Sequence, residues 1–306
     1  MELQLANDII AMLPNERTVF RYHQDRYAFM LLEYAMKGEI SIAQIKASPY
    51  AKLLDRPAVK SVLSGCGGGK LSLNDFALAW PIETKSYILT LGLWGWRKSK
   101  YRSWYQTSRT GTNLVLQLNF DRSHDAAHQK LLKIYRDADF SYRDHPINKK
   151  GRTTLSWARI DLDLDCGEAL IEELQNDWIR NAYEELEHVQ KSKTLDAKTK
   201  EKFQRYVSEH LDPHVKIWSE AILSATLFFL IKEIGIKQIW LHDFETGNRL
   251  KKLTWSKPPR SLYTSLPKKF CFTKVNQAPS FLHQGLARKM RRRIDEGKEA
   301  FWKIVI

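Results

Sequence analysis

A chain of 306 residues, 43% hydrophobic and 11% aromatic, can bury a full core and is long for one domain. Its three cysteines, Cys66, Cys166 and Cys271, are far apart and odd in number, which excludes a disulfide framework and a paired-cysteine metal knuckle and leaves reduced thiols. The formal charge of +14 is unevenly spread: residues 248–306 hold 15 Lys and Arg against 3 Asp and Glu, while residues 158–187 hold 10 carboxylates and 2 arginines, so a basic and an acidic surface are expected on one molecule.

Residues 1 to about 76 read as a helical N-terminal region, with helix formers around Leu31, Leu32 and Tyr34 and a short helix over Ser41 to Ser48 ahead of Pro49. The start, MELQLANDII, lacks the basic and apolar segments of a secretory signal. The longest apolar run, Ala221 to Ile231, is shorter than the roughly 20 residues that cross a bilayer, so a cytoplasmic location is expected. SGCGGGK, Ser64 to Lys70, reads as a glycine linker; a phosphate loop would need Gly where Ser64 stands and Ser or Thr where Leu71 stands.

From residue 77 onward the pattern turns to strands. Ser86 to Leu91 and Asn113 to Phe120 flank a turn at Thr110 and Gly111, and Asp125 to Arg136 reads as a helix. Between those strands, LWGWRKSKYRSWYQTSR interleaves Trp96 and Trp104 with Arg97, Lys98, Arg102 and Arg109. Aromatic faces stack bases and cations neutralise phosphates, so this composition suits RNA or DNA, or else a hairpin with its aromatics packed inward.

Thr154 to Asp165 alternates, with Ile160, Leu162 and Leu164 on one face and Asp161, Asp163 and Asp165 on the other; Cys166 and Gly167 turn it into Ala169 to Gln175, an antiparallel hairpin. The three aspartates with Asp177 could gather a divalent metal, but a solvated face is the plainer expectation and no metal is expected. Residues 181–210 read as a helical insertion. His210 and His214 are four apart but separated by Pro213, which breaks the face a zinc site would need. Lys216 to Ile234 is a buried helix stopped by Gly235, and Gln238 to His242 a short strand. His242, Asp243 and Glu245 at its end are cleft candidates, and Leu262 to Val275 reads as a helical turn and a final strand. A basic helix closes the chain, with Arg288, Arg291, Arg292 and Arg293 as further candidates for nucleic acid or an acidic protein partner.

The pattern ARIDLDLDCGEALIEELQNDW, followed by DPHVKIWSEAILSATLFFLIKEIGIKQIWLHDFETG and LYTSLPKKFCF, resembles a module in the polyvalent proteins of phages and mobile elements that is similar to the GCN5-related acetyltransferase fold. The resemblance spans about residues 155–275. Residues 1 to about 80 lie outside it; together with the helical N-terminal region read there, it implies an α+β fold with a mixed, mainly antiparallel sheet and flanking helices. It also implies transfer of an acetyl group from acetyl-CoA to an amine. In that reading Glu172 or Glu173 is the base, Tyr263 the acid, and Leu174, Gln175, Asn176 and Trp178 line the cofactor.

Because side chains alternate along a strand, Glu172 and Glu173 are expected on opposite faces, one toward a cleft and one in water. Two rival readings stand beside it. One is a non-catalytic protein of the same fold that binds nucleic acid or a partner in a phage-related toxin or defence system; the other is an ADP-ribosyltransferase using Arg109 with Glu172 and Glu173.

Overall fold

The computed structural model describes residues 1–13, 18–36, 38–77, 81, 83–95, 106–133, 139–148, 151–254 and 257–306. The N-terminal region supplies α1 (Leu3–Met12), β1 (Val19–Tyr22), α2 (Arg26–Ala35), β2 (Ile40–Ser41), α3 (Ile42–Lys46), α4 (Pro57–Leu63), β3 (Lys70–Leu71) and α5 (Leu73–Ala77). It is helical as expected, but it is not a separate layer: β1 pairs antiparallel with β4 (Lys85–Trp94) of the main sheet. Next come β5 (Asn113–Asn119), α6 (Arg122–Leu132), β6 (Thr154–Asp163) and β7 (Glu168–Gln175). The helical crossover follows as α7 (Trp178–Lys191), α8 (Ala197–Tyr206), α9 (Asp212–Val215) and α10 (Trp218–Phe228), and leads to β8 (Gln238–His242). The last part holds α11 (Phe244–Leu250), α12 (Ser265–Lys269), β9 (Thr273–Val275), α13 (Arg288–Asp295) and β10 (Phe301–Val305).

Eight strands form one sheet in the order β1-β4-β5-β6-β7-β8-β10-β9, so the fold is α+β with flanking helices. All neighbours are antiparallel except β7 and β8. That parallel pair needs a long crossover, and the helical insertion provides it. α10 is apolar on nearly every side because it lies under the sheet against β5, β6 and β7 with α2 on its other flank; its residues from Glu220 to Leu227 are all buried. Its continuation, Phe229–Ile234, widens to π-helical bonding and stops at Gly235, whose φ of 84° lies in the left-handed region glycine occupies without a Cβ penalty.

The expected final strand, β9, exists, but it is not the last. KEAFWKIVI carries β10, which inserts between β8 and β9. Five residues with both faces covered give no sustained alternation, and only Gly297 marks a turn ahead of them, so the stretch reads as tail.

The two faces of the sheet differ. One carries Leu89, Leu114, Leu116, Leu118, Ala158, Ile160, Leu162, Ile171, Leu174, Ile239, Leu241 and Ile304 into the main core. The other carries Trp157, Arg159, Asp161, Glu168, Glu172, Glu173, Gln175 and His242. Over β7, β8 and β10 it is closed by a second core of Leu170, Trp240, Phe281, Leu282, Ile294 and Phe301, contributed largely by the C-terminal segment. No single helix among the described residues is long and apolar enough to cross a membrane.

Candidate functional site

The site is built at an irregularity in β7. Arg159 of β6 pairs with Glu173 and Ile160 with Ile171, so Glu172 is an extra residue, a β-bulge. The bulge breaks the alternation that would part the two carboxylates, which corrects the expectation of one cleft-facing and one wet glutamate. Both turn to the polar face and both are buried, Glu172 at 0% and Glu173 at 8% exposure. Pairing with β8 ends at Ile171, so the β8 side of β7 is unpaired from the bulge onward.

Glu172 Oε2 accepts from Ser108 Oγ at 2.7 Å and lies 3.0 Å from His242 Nε2, while Oε1 accepts the Ser108 backbone N–H at 3.1 Å. Glu173 pairs with Arg159 and lies 3.9 Å from Lys251 Nζ. Burial would push the Glu172 carboxyl up, but the His242 hydrogen bond and the Lys251 and Arg159 charges outweigh it and hold it at about 2. Glu173 is likewise held below the usual range, burial being outweighed by Arg159 and Lys251. Burial lowers His242 despite Glu172 beside it, so the ring is neutral and serves Glu172 through its Nε2–H. Two carboxylates thus face two cations, and the cluster is electrically balanced inside the fold. It is not arranged as a nucleophile triad: the same imidazole nitrogen lies within reach of both Ser108 Oγ, at 2.8 Å, and Glu172, and Nδ1 has no hydrogen-bond partner among the described residues.

The unpaired edge of β7 is capped by the protein's own side chains. Lys251 Nζ donates to the Glu172 carbonyl at 2.9 Å, and the Tyr263 hydroxyl accepts from the Leu174 N–H at 3.3 Å. Tyr263 is 2% exposed, and burial raises its hydroxyl far above the usual value. Burial also lowers the Lys251 ammonium, although the adjacent glutamates oppose it. The other candidates for the cofactor have internal partners too. Leu174 points into the main core, Gln175 Nε2 donates to Asp177 at 2.7 Å, Asn176 Oδ1 caps the Ile179 N–H at 2.9 Å, and Trp178 Nε1 donates to the Tyr206 hydroxyl at 2.7 Å.

Of the cleft candidates only His242 reaches the cluster. Asp243 caps α11 and pairs with Lys274 at 2.7 Å, and Glu245 pairs with Arg260 at 3.1 Å on the surface. The expected acidic surface is half interior, five of its ten carboxylates being buried: Asp161 is bound by Arg109 at 2.6 and 3.1 Å and by the Met1 amino group at 2.7 Å, so it belongs to no solvated face. Among the described residues no cluster of His, Cys, Asp or Glu could hold a metal. His214 meets the Tyr87 hydroxyl at 2.7 Å and sits edge-on to Phe120, an aromatic environment rather than a ligand set.

Of the nucleic-acid candidates, Trp96, Arg97, Lys98, Arg102 and Trp104 lie outside the described residues. The described flanks of that stretch both meet Arg159, which lies 5.3 Å from the Trp94 ring and donates to the Gln106 carbonyl at 3.0 Å. Arg109 is corrected to a buttress: besides Asp161 it binds the Phe281 carbonyl at 3.1 Å and stacks on the Phe281 ring at 4.4 Å. Arg293 pairs with Glu299 and Arg292 with Glu296, leaving Arg288 and Arg291, with Lys289 between them, exposed and without an ion pair among the described residues.

The sequence reading missed Ser108, Arg159 and Lys251; a lone arginine between apolar strand residues was the one available signal. Elsewhere, a cleft of about 1310 Å³ between the N-terminal helices and α9 is lined by His23, Phe29, Cys66, Lys85, Asp212 and Lys216, and shares no residue with the carboxylate cluster. No protein-family model, curated protein or solved structure matches the chain.

Proposed function

We propose that this chain is a non-catalytic nucleic-acid-binding protein that contacts phosphates through α13. The observation that carries the reading is the split of charge between inside and outside. Asp161, Glu172 and Glu173 of β6 and β7 are buried beside Arg109, Arg159 and Lys251, whereas Arg288, Lys289 and Arg291 stand on the outer side of a helix whose Met290 and Ile294 pack inward, with no ion pair among the described residues. A chain of net charge +14 that buries part of its carboxylates presents a net basic surface, and such surfaces bind polyanions by releasing counterions. The candidate base and acid of an acyl transfer, by contrast, are sealed from solvent and satisfied by neighbours.

The test is the salt dependence of single-stranded oligonucleotide binding. Each phosphate contact contributes about −0.7 to the slope of log K against log salt, so replacing Arg288, Lys289 and Arg291 with glutamine is expected to flatten the slope by about 2 and to weaken binding. A slope unchanged by that triple replacement refutes the reading.

A second reading, acetyl transfer from acetyl-CoA, draws support from one feature: β7 bulges at Glu172 and there parts from its parallel neighbour β8, leaving a strand edge for an amide-bearing ligand. Lys251 and Tyr263 would have to leave that edge first. Calorimetry with acetyl-CoA decides it, since absence of binding removes the reading.

A further inference from the structure

We propose that the turn from Tyr142 to His145 is a ribonucleotide-reading site, in which Tyr142 stacks a base and His145 Nε2 accepts a hydrogen bond from the ribose 2′-hydroxyl. This rests on the nucleic-acid reading above and names its ligand class. Tyr142 and His145 are the ends of a β-turn closed by the His145 N–H donating to the Tyr142 carbonyl at 2.9 Å. The turn brings the two rings to a centroid distance of 4.5 Å, with Trp157 edge-on to the imidazole at 5.4 Å. Tyr142 is 49% exposed, so an aromatic shelf faces solvent beside the imidazole.

The imidazole is fixed from behind. Its Nδ1 lies 2.7 Å from Asp177 Oδ2, and the same carboxylate accepts from Trp157 Nε1 at 3.2 Å, Gln175 Nε2 at 2.7 Å and Arg180 Nη2 at 2.8 Å. Burial would raise the Asp177 carboxyl, but the His145 hydrogen bond and the donors around it outweigh burial and keep it ionised. An ionised acceptor at 2.7 Å holds the proton on Nδ1, which leaves the lone pair on Nε2. That atom makes no hydrogen bond among the described residues and is not among the buried ones, and the side chain is 24% exposed.

A locked acceptor chooses its ligand. It repels a phosphate oxygen and welcomes a hydroxyl donor, and the 2′-hydroxyl is the donor that separates RNA from DNA. Cations for the flanking phosphates are at hand: Arg143 in the same turn is exposed with no ion pair among the described residues, and the Arg180 side chain is 51% exposed.

The experiment compares three single-stranded oligonucleotides of one sequence, as RNA, DNA and 2′-O-methyl RNA, by fluorescence anisotropy at fixed salt. One neutral hydrogen bond predicts RNA binding about three- to tenfold tighter than either analogue. His145→Phe keeps a ring but removes the acceptor, so it should bring RNA down to the DNA level, while Tyr142→Ala should weaken all three. Equal binding of RNA and 2′-O-methyl RNA by the unaltered protein overturns the proposal even if His145→Phe does not fold. Equal binding of all three leaves the nucleic-acid reading standing without this site; binding of none removes both.

Discussion

Arg159 holds the polar face together: it pairs with Glu173 and joins both described flanks of residues 96–105 through Trp94 and Gln106. Replacing it with methionine leaves Glu172 and Glu173 facing Lys251 alone, and an uncompensated buried charge costs about 3–5 kcal/mol. Urea unfolding of Arg159→Met should show a loss of that size, and adding Glu173→Met should recover most of it; a double variant as unstable as the single one contradicts the ion-pair account. The sequence named Glu172 and Glu173 but not their orientation, because alternation holds only in a regular ladder and one extra residue reverses it. His214 gives a pH prediction. Burial lowers its pKa from 6.5 to about 3, so its neutral form stabilises the fold fully above about pH 6.5. As pH falls from there toward 3 the unfolded chain takes up a proton that the folded one refuses, and stability declines. His214→Gln should flatten this part of a thermal-melt pH profile; an equally steep decline assigns it to other groups.

At the scale of elements, long segments were legible and short ones were not. The strand pair at Thr154 and Ala169, the buried helix ending at Gly235 and the strand Gln238–His242 follow from periodicity and a stop signal. At Gly235 an L side chain would be forced into the left-handed region, so Gly235→Ala should cost about 1–2 kcal/mol in chemical denaturation, with no change in a far-ultraviolet spectrum. A neutral result would mean the helix end relaxes. β10 escaped notice because Phe301, Trp302 and Ile304 are buried on both faces, and such a run looks like any apolar tail.

At the scale of the molecule, what was legible was charge and what was hidden was its placement. The segments 158–187 and 248–306 are opposite in sign, and each seemed destined for a surface. In the fold they meet: Lys251 lies beside Glu172 and Glu173 and offsets part of their charge, and the Ser280 N–H and hydroxyl donate to Glu168 at 2.7 and 2.6 Å. On α13 itself Arg292 and Arg293 pair with Glu296 and Glu299 of their own segment, which leaves the phosphate contacts to Arg288, Lys289 and Arg291.

By itself the sequence determined the α+β class, the helical N-terminal region, the run of strands and the crossover helix, because these depend on local periodicity, propensity and stop signals. Only the tertiary structure decided that Glu172 and Glu173 share one buried face, that Arg109 is a buttress, and that His145 is locked by Asp177 from 32 positions away. Each of these depends on strand register or on contact between distant segments. Register is a cooperative property of the whole sheet, which a local pattern does not encode.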